Sequence, residues 1–286
     1  MTLASSLTAT TALFVAHQLP SANLDAQLLH AHVLHLNRTQ LISQGDRHLG
    51  ESEMAQIQQL TQRRLLHEPM AYILKQRSFY QHDFYVDHAV LIPRPETEIL
   101  VEQALQYIQA QQGIVTAVDV GTGSGAIAIS LVAASPQVQM LAIDKSAAAL
   151  AVADKNAKTI LNSEQQARWT LVRGDLFTDL PQFGPWQLMV SNPPYIPTRV
   201  VPTLEADVAK YEPHLALDGG EDGLKHLLAL IALAKEMLHP GGCLLLECGF
   251  GQAPILLAQA KKQLGDHAMI INDLAGIGRC IRAIKD

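Results

Sequence analysis

A five-residue stretch, Ser191–Tyr195, carries residue types that could hold and orient a planar amino group. The apolar run at 186–190 precedes it and predicts a buried parallel strand, whose carboxyl end is where ligands bind in open α/β sheets. The two prolines after Asn192 stiffen the backbone, so the carbonyl of Pro193 is a fixed acceptor beside the Asn192 side-chain oxygen. Tyr195 would pack on the bound group. The alternative is an ordinary turn, which Asn-Pro sequences often form.

A glycine-rich turn lies between a β-prone run at 117–120 and an apolar helical run at 126–129. This context is typical of nucleotide-binding loops, because glycine lets the backbone approach a ligand closely. Asp119 directly precedes the turn, and a carboxylate there suits a cationic ligand better than a pyrophosphate. The pattern therefore favours S-adenosylmethionine over NAD. The residues predicted to contact this cofactor are Gly121, Thr122, Gly123, Ser124 and Gly125.

Two further strands end in acidic residues that could complete the cofactor site. Asp144 ends the run at 141–144 and is suited to ribose hydroxyls, or alternatively to capping the following helix. Asp175 and the backbone of Leu176 follow the run at 169–173. We expect them at the adenine edge, with a plain surface turn as the alternative. Asn192 is expected to contact the cofactor as well as the substrate.

The stretch 93–98 reads Pro-Arg-Pro-Glu-Thr-Glu and predicts a helix start, with Pro95 at the first helical position and acids in the first turn. A rigid elbow of this kind could also place Arg94 and Thr97 over the neighbouring cofactor site. We expect these two residues and Asp119 to support the cofactor or the substrate.

Residues 1–75 show helical spacing of apolar residues, and we expect a helical domain there. His30, His32 and His35 lie within it at a spacing that spreads them around a helix, so we expect exposed or half-buried side chains and no metal site. The aromatic runs at 78–86 predict a β-hairpin, with residues 81–83 between its strands. We expect this hairpin, within 76–92, to link the helical domain to a domain at 93–286.

The rest of the chain alternates strands and helices, which predicts a doubly wound α/β sheet. We expect residues 196–222 to be irregular and the final strands, near 267–273 and 279–285, to form an antiparallel hairpin. A Pro-Gly-Gly turn at 240–242 should precede a strand at 243–248.

Composition limits the partners. The net charge is −6, and neither residues 1–80 nor the remainder is basic, so a nucleic-acid substrate is disfavoured. No apolar run is long enough for a membrane span, and a signal peptide is not expected. Cysteines at 243, 248 and 280 form no C-x-x-C pair, which is typical of reduced, buried thiols in a cytoplasmic protein.

The motifs at 92–98 and 192–195 together resemble those of the release-factor glutamine N5-methyltransferase family, also called the HemK family, over nearly the whole chain. Two departures are Lys75, where a glycine is usual, and Leu176, where some members have an aromatic residue. The related family that modifies ribosomal protein L3 usually reads Pro-Arg-Ser-Pro where this chain has 93–96, so the release-factor branch fits better.

The resemblance implies a class I, Rossmann-like methyltransferase sheet with an antiparallel last strand and a small N-terminal helical domain that helps hold the release factor. It implies methyl transfer from S-adenosylmethionine to the side-chain nitrogen of the glutamine in a Gly-Gly-Gln loop. It assigns the substrate amide to Asn192, Pro193, Pro194 and Tyr195. Three alternatives stay open: modification of ribosomal protein L3, methylation of adenine or cytosine amino groups in nucleic acid, and a cofactor-fold protein that only binds a partner.

Overall fold

A computed structural model describes residues 1–175 and 183–286, which fold into two compact units. The first comprises Met1–Lys75 with Ala206–Tyr211, and the second comprises Gln76–Glu205 with Glu212–Asp286. The structure thus differs from the sequence expectation at two places. The hairpin within 76–92 groups with the second unit, and residues 206–211 group with the first.

The first unit is helical. Its helices are α1 (Leu3–Ala16), α2 (Ala22–Leu34), α3 (Arg38–Ser43), α4 (Glu51–Leu65), α5 (Met70–Leu74) and the short α10 (Ala206–Tyr211). The apolar faces of α1 to α4 bury a common core that includes Phe14, Leu29, Leu41 and Ile57. The Tyr211 hydroxyl donates to the carbonyl of Leu66 at 2.8 Å, which ties α10 into this unit.

One histidine of this unit is fully buried, contrary to the expectation of exposed or half-buried side chains. The ring of His30 hydrogen-bonds to Ser6 Oγ at 2.9 Å and to the carbonyl of Ala26 at 2.8 Å. Burial lowers the pKa of His30, so the ring is neutral and its two nitrogens suit one donor and one acceptor. His32 and His35 are exposed.

The predicted hairpin is present, with different bounds. It pairs β1 (Arg77–Phe79) with β2 (His82–Phe84), and the turn is Tyr80–Gln81, not residues 81–83. Tyr80 takes the turn with φ +53°. The rings of Phe79 and Phe84 meet edge to face at 6.0 Å and belong to the buried core of the second unit. The hairpin is therefore part of that core.

The second unit is built on a seven-stranded sheet with strand order β5-β4-β3-β6-β7-β9-β8. The strands are β3 (Val115–Val120), β4 (Val138–Asp144), β5 (Trp169–Arg173), β6 (Trp186–Ser191), β7 (Leu238–Glu247), β8 (Ala268–Asn272) and β9 (Gly278–Ile284). The first five are parallel, and β8 and β9 are antiparallel to each other, with β9 antiparallel to β7. The prediction of a Rossmann-like sheet with an antiparallel end is confirmed.

Helices connect these strands: α6 (Glu98–Gln109), α7 (Ala126–Ala134), α8 (Ala147–Ile160), α9 (Ser163–Gln166), α11 (Lys225–Met237) and α12 (Ala253–Leu264). The chain moves from β3 to β4 on one side, and β6 then pairs with the other side of β3. This change of direction makes the carboxyl end of β3 the switch point at which ligands bind in such sheets.

Two loop predictions were wrong in detail. The segment 196–222 is not irregular throughout, since it contains 3-10 turns at Val201–Thr203 and His214–Ala216 besides α10. Strand β7 begins at Leu238, so the predicted turn at 240–242 lies inside it. Its pairing with β6 is irregular between Trp186 and Leu188, which accommodates the two glycines.

All three cysteines are free and buried, as predicted. Within the described part of the chain, no helix has the length and apolar character to span a membrane.

Candidate active site

A glycine loop follows β3 at the switch point of the sheet. Gly121 has φ +75°, Gly123 φ +57° and Gly125 φ +81°, a region of backbone space that other residues rarely adopt. A β-carbon added at Gly121 would meet no atom within 4 Å, because this face of the loop borders an open cavity. The loop therefore offers a backbone cradle that a side chain would fill. Thr122, Gly123 and Ser124 also line the cavity.

Gly125 serves the fold and not the cavity wall. A β-carbon there would come within 2.6 Å of Ile129 Cδ1 and 3.4 Å of the Ala153 β-carbon. Gly125 is the residue before α7, and its carbonyl accepts the first helical hydrogen bond from Ile129. Within the described residues, 1–175 and 183–286, Gly125 is not among the residues that line the cavity. This differs from the sequence-based prediction that Gly125 contacts the cofactor.

Asp119 lies beneath the loop. Its carboxylate accepts a hydrogen bond from Thr122 Oγ1 at 2.7 Å and is 1% exposed. Burial raises its pKa to about 7, and the hydrogen bond from Thr122 opposes that rise. Asp119 is absent from the cavity wall formed by the described residues. It supports the loop from behind.

Asp144, at the end of β4, joins two turns and lines the cavity. Its Oδ2 accepts from the Gly123 N–H at 2.9 Å and its Oδ1 from the Ser146 N–H at 2.8 Å. Burial raises its pKa, whereas these backbone donors lower it. The cap of α8 is Ser146, whose side chain accepts from Ala149. Each carboxylate oxygen of Asp144 retains a second lone pair, which a ribose hydroxyl could use.

Asp175 lines the same cavity and forms an ion pair with Lys145, with Nζ 2.9 Å from Oδ2. The predicted contact at Leu176 lies outside the described residues. The cavity has a volume of about 880 Å³, which is in the range of small-molecule sites. The segment after residue 212 contributes its wall at Pro213–Ala216, so part of the long 196–222 region has a place at the site.

The Asn-Pro-Pro-Tyr segment follows β6 and meets the cavity with its first three residues, Asn192, Pro193 and Pro194. Ser191, the last residue of β6, is fully buried and donates from Oγ to the Val120 carbonyl at 2.6 Å, which joins this segment to β3. Asn192 Nδ2 donates to Thr97 Oγ1 at 3.0 Å. Thr97 also lines the cavity, as does Pro93.

Tyr195 points away from the predicted stacking position. Its hydroxyl donates to Glu247 Oε1 at 3.3 Å, and its ring packs with the core on the helix α11 side of the sheet. Burial and the neighbouring Glu247 raise its pKa, so the hydroxyl keeps its proton. Tyr195 is not among the described residues that line the cavity. Its role in the structure is to hold Glu247.

Arg94 likewise takes a supporting place. Its guanidinium donates to Glu212 at 2.5 Å, and the Glu212 carboxylate also accepts from the Ile92 N–H at 3.3 Å. Arg94 is not in the cavity wall of the described chain, although the adjacent Pro93 is. The ion pair between Arg94 and Glu212 therefore fixes the elbow at 93–97 without forming part of the cavity wall.

Glu247 was not predicted from the sequence. It ends β7 and is 4% exposed, and it is the only acid in the buried run Cys243–Cys248. Burial raises its pKa to about 7, while hydrogen bonds from Thr97 and Tyr195 lower it; Glu96 acts as a like charge and Arg279 as an opposite one. The sequence did contain a signal for Glu247, namely an acidic residue within an otherwise apolar strand. Among the described residues, no group of three His, Cys, Asp or Glu side chains could hold a metal ion.

Both units of the chain are similar to known proteins. Residues 96–210 match the methyltransferase small domain, and residues 6–74 match the PrmC N-terminal domain. The T. thermophilus 16S rRNA N2 G1207 methyltransferase, solved with AdoMet and guanosine, has a TM-score of 0.51 to this chain at 15% identity. That likeness covers 74% of this chain and 50% of the other, and it shows the fold. The second unit is therefore a Rossmann-like methyltransferase domain.

Whole-chain relatives define the family. The release factor glutamine methyltransferase of Bradyrhizobium diazoefficiens is 41% identical over 275 residues, which cover 94% of this chain and 90% of that protein. The enzyme of the same name from Geobacter sulfurreducens is 38% identical, with coverage of 91% and 89%. The chain belongs to the release factor glutamine methyltransferase family.

Proposed function

We propose that this protein transfers the methyl group of S-adenosyl-L-methionine to the side-chain amide nitrogen (N5) of the glutamine in the Gly-Gly-Gln loop of peptide chain release factors. The observation that carries the proposal is the Asn192 amide, held by Thr97 at 3.0 Å and placed with Pro193 in the wall of the cavity that the glycine loop borders. Release factors act in translation termination, so we place the reaction in the cytoplasm.

The residues of the cavity fit the cofactor. The open face at Gly121 allows close backbone approach, and Asp144 has lone pairs for the ribose hydroxyls. Asp175 would meet the adenine end. When bound, the cofactor supplies a methyl group activated by its attachment to a positively charged sulfur. The carboxylate of Asp144 in the wall is compatible with a cationic ligand, whereas the charge of Asp175 is paired with Lys145.

The site would act on the substrate by alignment. An amide nitrogen is a weak nucleophile because its lone pair is delocalised into the carbonyl. The Asn192 side-chain oxygen and the Pro193 carbonyl would accept its two N–H bonds and fix the direction of the lone pair. Orientation of this kind can lower a barrier by up to ~7–11 kcal/mol. Each hydrogen bond contributes about 1 kcal/mol, and more where the donor gains positive charge in the transition state.

The mechanism requires no general base before attack. Methylation makes the amide nitrogen positively charged and its proton strongly acidic, so the proton can leave afterwards to water. Asn192 and Pro193 offer acceptors that hold the N–H bonds through this step.

A parallel transfer experiment tests the proposal. The full chain is incubated with S-adenosylmethionine labelled in the methyl group and, in separate reactions, a release factor, ribosomal protein L3 and DNA. We expect label only in the release factor, lost when its Gly-Gly-Gln glutamine is replaced by alanine. Label in L3 or DNA, with none in the release factor, would overturn the proposal in favour of that substrate.

A further inference from the structure

The two prolines of the Asn-Pro-Pro-Tyr segment leave its backbone without an N–H between Asn192 and Tyr195. The course of the segment, and with it the direction of the Pro193 carbonyl, therefore depends on how its two ends are held. The upstream end is fixed at Ser191, whose hydroxyl donates to the Val120 carbonyl at 2.6 Å, and at Asn192. The downstream end is Tyr195, so the contacts of its backbone decide whether the segment is held on both sides.

Gln252 supplies the contact at the downstream end. Its Nε2 donates to the Tyr195 carbonyl at 3.0 Å and to the Gly223 carbonyl at 3.3 Å, and its Oε1 accepts from the Gly249 N–H at 2.8 Å. An amide nitrogen has two protons, so its donor capacity is filled. The side chain of Gln252 thus joins three parts of the chain: the Asn-Pro-Pro-Tyr segment, the turn before α11 and the turn after β7.

Close packing keeps Tyr195 at this contact. A β-carbon added at Gly223 would overlap the Tyr195 carbonyl oxygen, and one at Gly249 would come within 3.0 Å of the Tyr195 ring. The two turns can approach the tyrosine because each presents a glycine to it. Gln252 therefore reaches the Tyr195 carbonyl between two stretches of bare backbone.

The parts of the chain that meet at Gln252 also form part of the cavity wall. Residues 192–194 line the cavity on one side of the contact, and residues 225–226, directly after the turn, line it on the other. Among the described residues Gln252 itself is not in the wall. Any effect of Gln252 on the reaction must therefore pass through the backbone that it holds.

We propose that Gln252 is a positioning residue that holds the Tyr195 carbonyl and thereby aims the Pro193 carbonyl at the substrate amide. The inference rests on the proposed function, in which the Pro193 carbonyl accepts one N–H of the glutamine. The contact depends on the side-chain N–H bonds of Gln252 and on the backbone of Tyr195, whatever the tyrosine side chain does. Gln252 does not touch the reacting atoms.

Two substitutions separate the donor from the acceptor of this amide. Gln252→Met has a similar length and makes none of the three hydrogen bonds. Gln252→Glu keeps an oxygen for the Gly249 N–H, but its ionised carboxylate has no proton for the Tyr195 and Gly223 carbonyls. If the donor bonds matter, both variants should be impaired.

A glutamine outside the cavity wall of the described chain provides the matched control. Gln137 is half-buried, like Gln252, and its Nε2 also donates to two backbone carbonyls, those of Gln111 at 3.4 Å and Gly113 at 3.1 Å. Gln137→Met and Gln137→Glu therefore remove equivalent bonds. They should lower the melting temperature and leave kcat unchanged.

Methyl transfer to a release factor gives kcat and KM, and calorimetry gives the cofactor Kd and the melting temperature. Gln252→Met should lower kcat by about tenfold, the equivalent of one hydrogen bond. Gln252→Glu should lower it by up to about 100-fold, because a carboxylate repels the two carbonyl oxygens and misplaces the segment. KM and cofactor Kd should stay close to wild type, since a protein substrate binds through many contacts.

A second pair of variants reaches the same carbonyl without changing Gln252. Gly223→Ala and Gly241→Ala both place a β-carbon at φ +77°. The first meets the Tyr195 carbonyl oxygen, whereas the second meets no atom within 4 Å. We expect Gly223→Ala to lower kcat with little change in cofactor Kd, and Gly241→Ala to lower only the melting temperature.

The outcomes separate the two proposals. If the wild-type protein does not methylate the release factor, the proposed function fails. If it does, and folded Gln252→Met keeps the wild-type kcat, the positioning role of Gln252 is wrong. An equal loss of kcat in Gln137→Met, or a normal kcat in Gln252→Glu, would also overturn it. If the Gln252 variants do not fold, the contrast between Gly223→Ala and Gly241→Ala decides, and equal kcat values in that pair would contradict the proposal.

Discussion

Two buried carboxyl groups support the two halves of the cavity, and they are assembled in different ways. Asp119 holds the glycine loop through Thr122, three residues later, with Oγ1 at 2.7 Å. Glu247 accepts a hydrogen bond from the Tyr195 hydroxyl at 3.3 Å, and Thr97, which lowers the pKa of Glu247, accepts from Asn192 Nδ2 at 3.0 Å. Burial raises the pKa of each to about 7. The chemistry is the same, but one arrangement lies within four residues and the other joins positions from 97 to 247.

The difference matches what each half has to do. A loop that binds a cofactor through its backbone needs the loop's own conformation fixed, which a local hydrogen bond achieves. A site that orients one substrate amide needs a side chain held from several directions, which requires separate elements. We therefore expect substitutions around the glycine loop to affect cofactor binding and substitutions around Asn192 to affect turnover.

Asn192→Ala should separate the effect on turnover from the effect on cofactor binding most strongly. It removes the acceptor proposed for the substrate amide, and we expect kcat to fall on the order of 100-fold, the scale found for a group that stabilises developing charge. Cofactor Kd, measured by calorimetry, should change far less. The control is Asn162→Ala, which removes the cap of α9 away from the cavity and should cost only about 1 kcal/mol of stability. Full turnover in Asn192→Ala would contradict the alignment mechanism.

Asp144→Ala should show the opposite pattern, with a larger effect on cofactor binding than on turnover. It removes the acceptor for Gly123 and Ser146 and for the ribose, and hydrogen bonds to a charged group are worth about 1.5–3 kcal/mol. We expect cofactor Kd to rise about 10- to 100-fold, with a smaller fall in kcat at saturating cofactor than Asn192→Ala produces. Asp154→Ala, which breaks an exposed pair with Lys158, is the matched control. An unaltered Kd would remove Asp144 from the cofactor site.

Asp119→Asn should change how stability depends on pH. Burial raises the pKa of Asp119 from 3.8 to about 7, so between these values the folded state binds more protons than the unfolded state. Wild-type stability therefore falls as pH rises through this window, and the cost is complete above about pH 7. Asparagine cannot ionise and escapes that cost.

The variant's Tm relative to wild type should thus be more favourable at pH 8 than at pH 5, by several degrees for a difference of about 1–2 kcal/mol. Calorimetric scans at the two pH values measure it. The exposed Asp46→Asn is the matched control for the loss of one carboxylate. An equal shift at both pH values would mean that Asp119 does not titrate in this window.

The smallest effect concerns the glycine loop. Gly121→Ala and Gly113→Ala both place a β-carbon at positive φ, +75° and +82°, with no atom within 4 Å. Each should lose about 1 kcal/mol of stability from backbone strain. Only Gly121→Ala should weaken cofactor binding, because its β-carbon enters the cavity. If both variants bound cofactor equally well, the loop would not be the cofactor cradle.

Sequence patterns predicted much of this architecture for physical reasons that are local. The runs at 117–120 and 186–190 are apolar and short, and both fold as central parallel strands. Pro95 begins its helical turn as predicted, since its fixed φ suits the first helical position. The hairpin turn was misplaced by local reasoning because Tyr80 adopts a positive φ, for which its side chain gives no signal.

The sequence by itself determined the order of strands and helices, the glycine loop and the stiff Asn-Pro-Pro segment, because each depends on the preferences of adjacent residues. Only the tertiary structure decided that Tyr195 faces Glu247, that Arg94 pairs with Glu212 and that Gly125 packs against α7 and α8. These directions follow from which strands become neighbours in the sheet and from what each buried polar group can reach. Residues far apart in the chain carry no local trace of such pairings, so the identity of the partner appears only when the sheet is assembled.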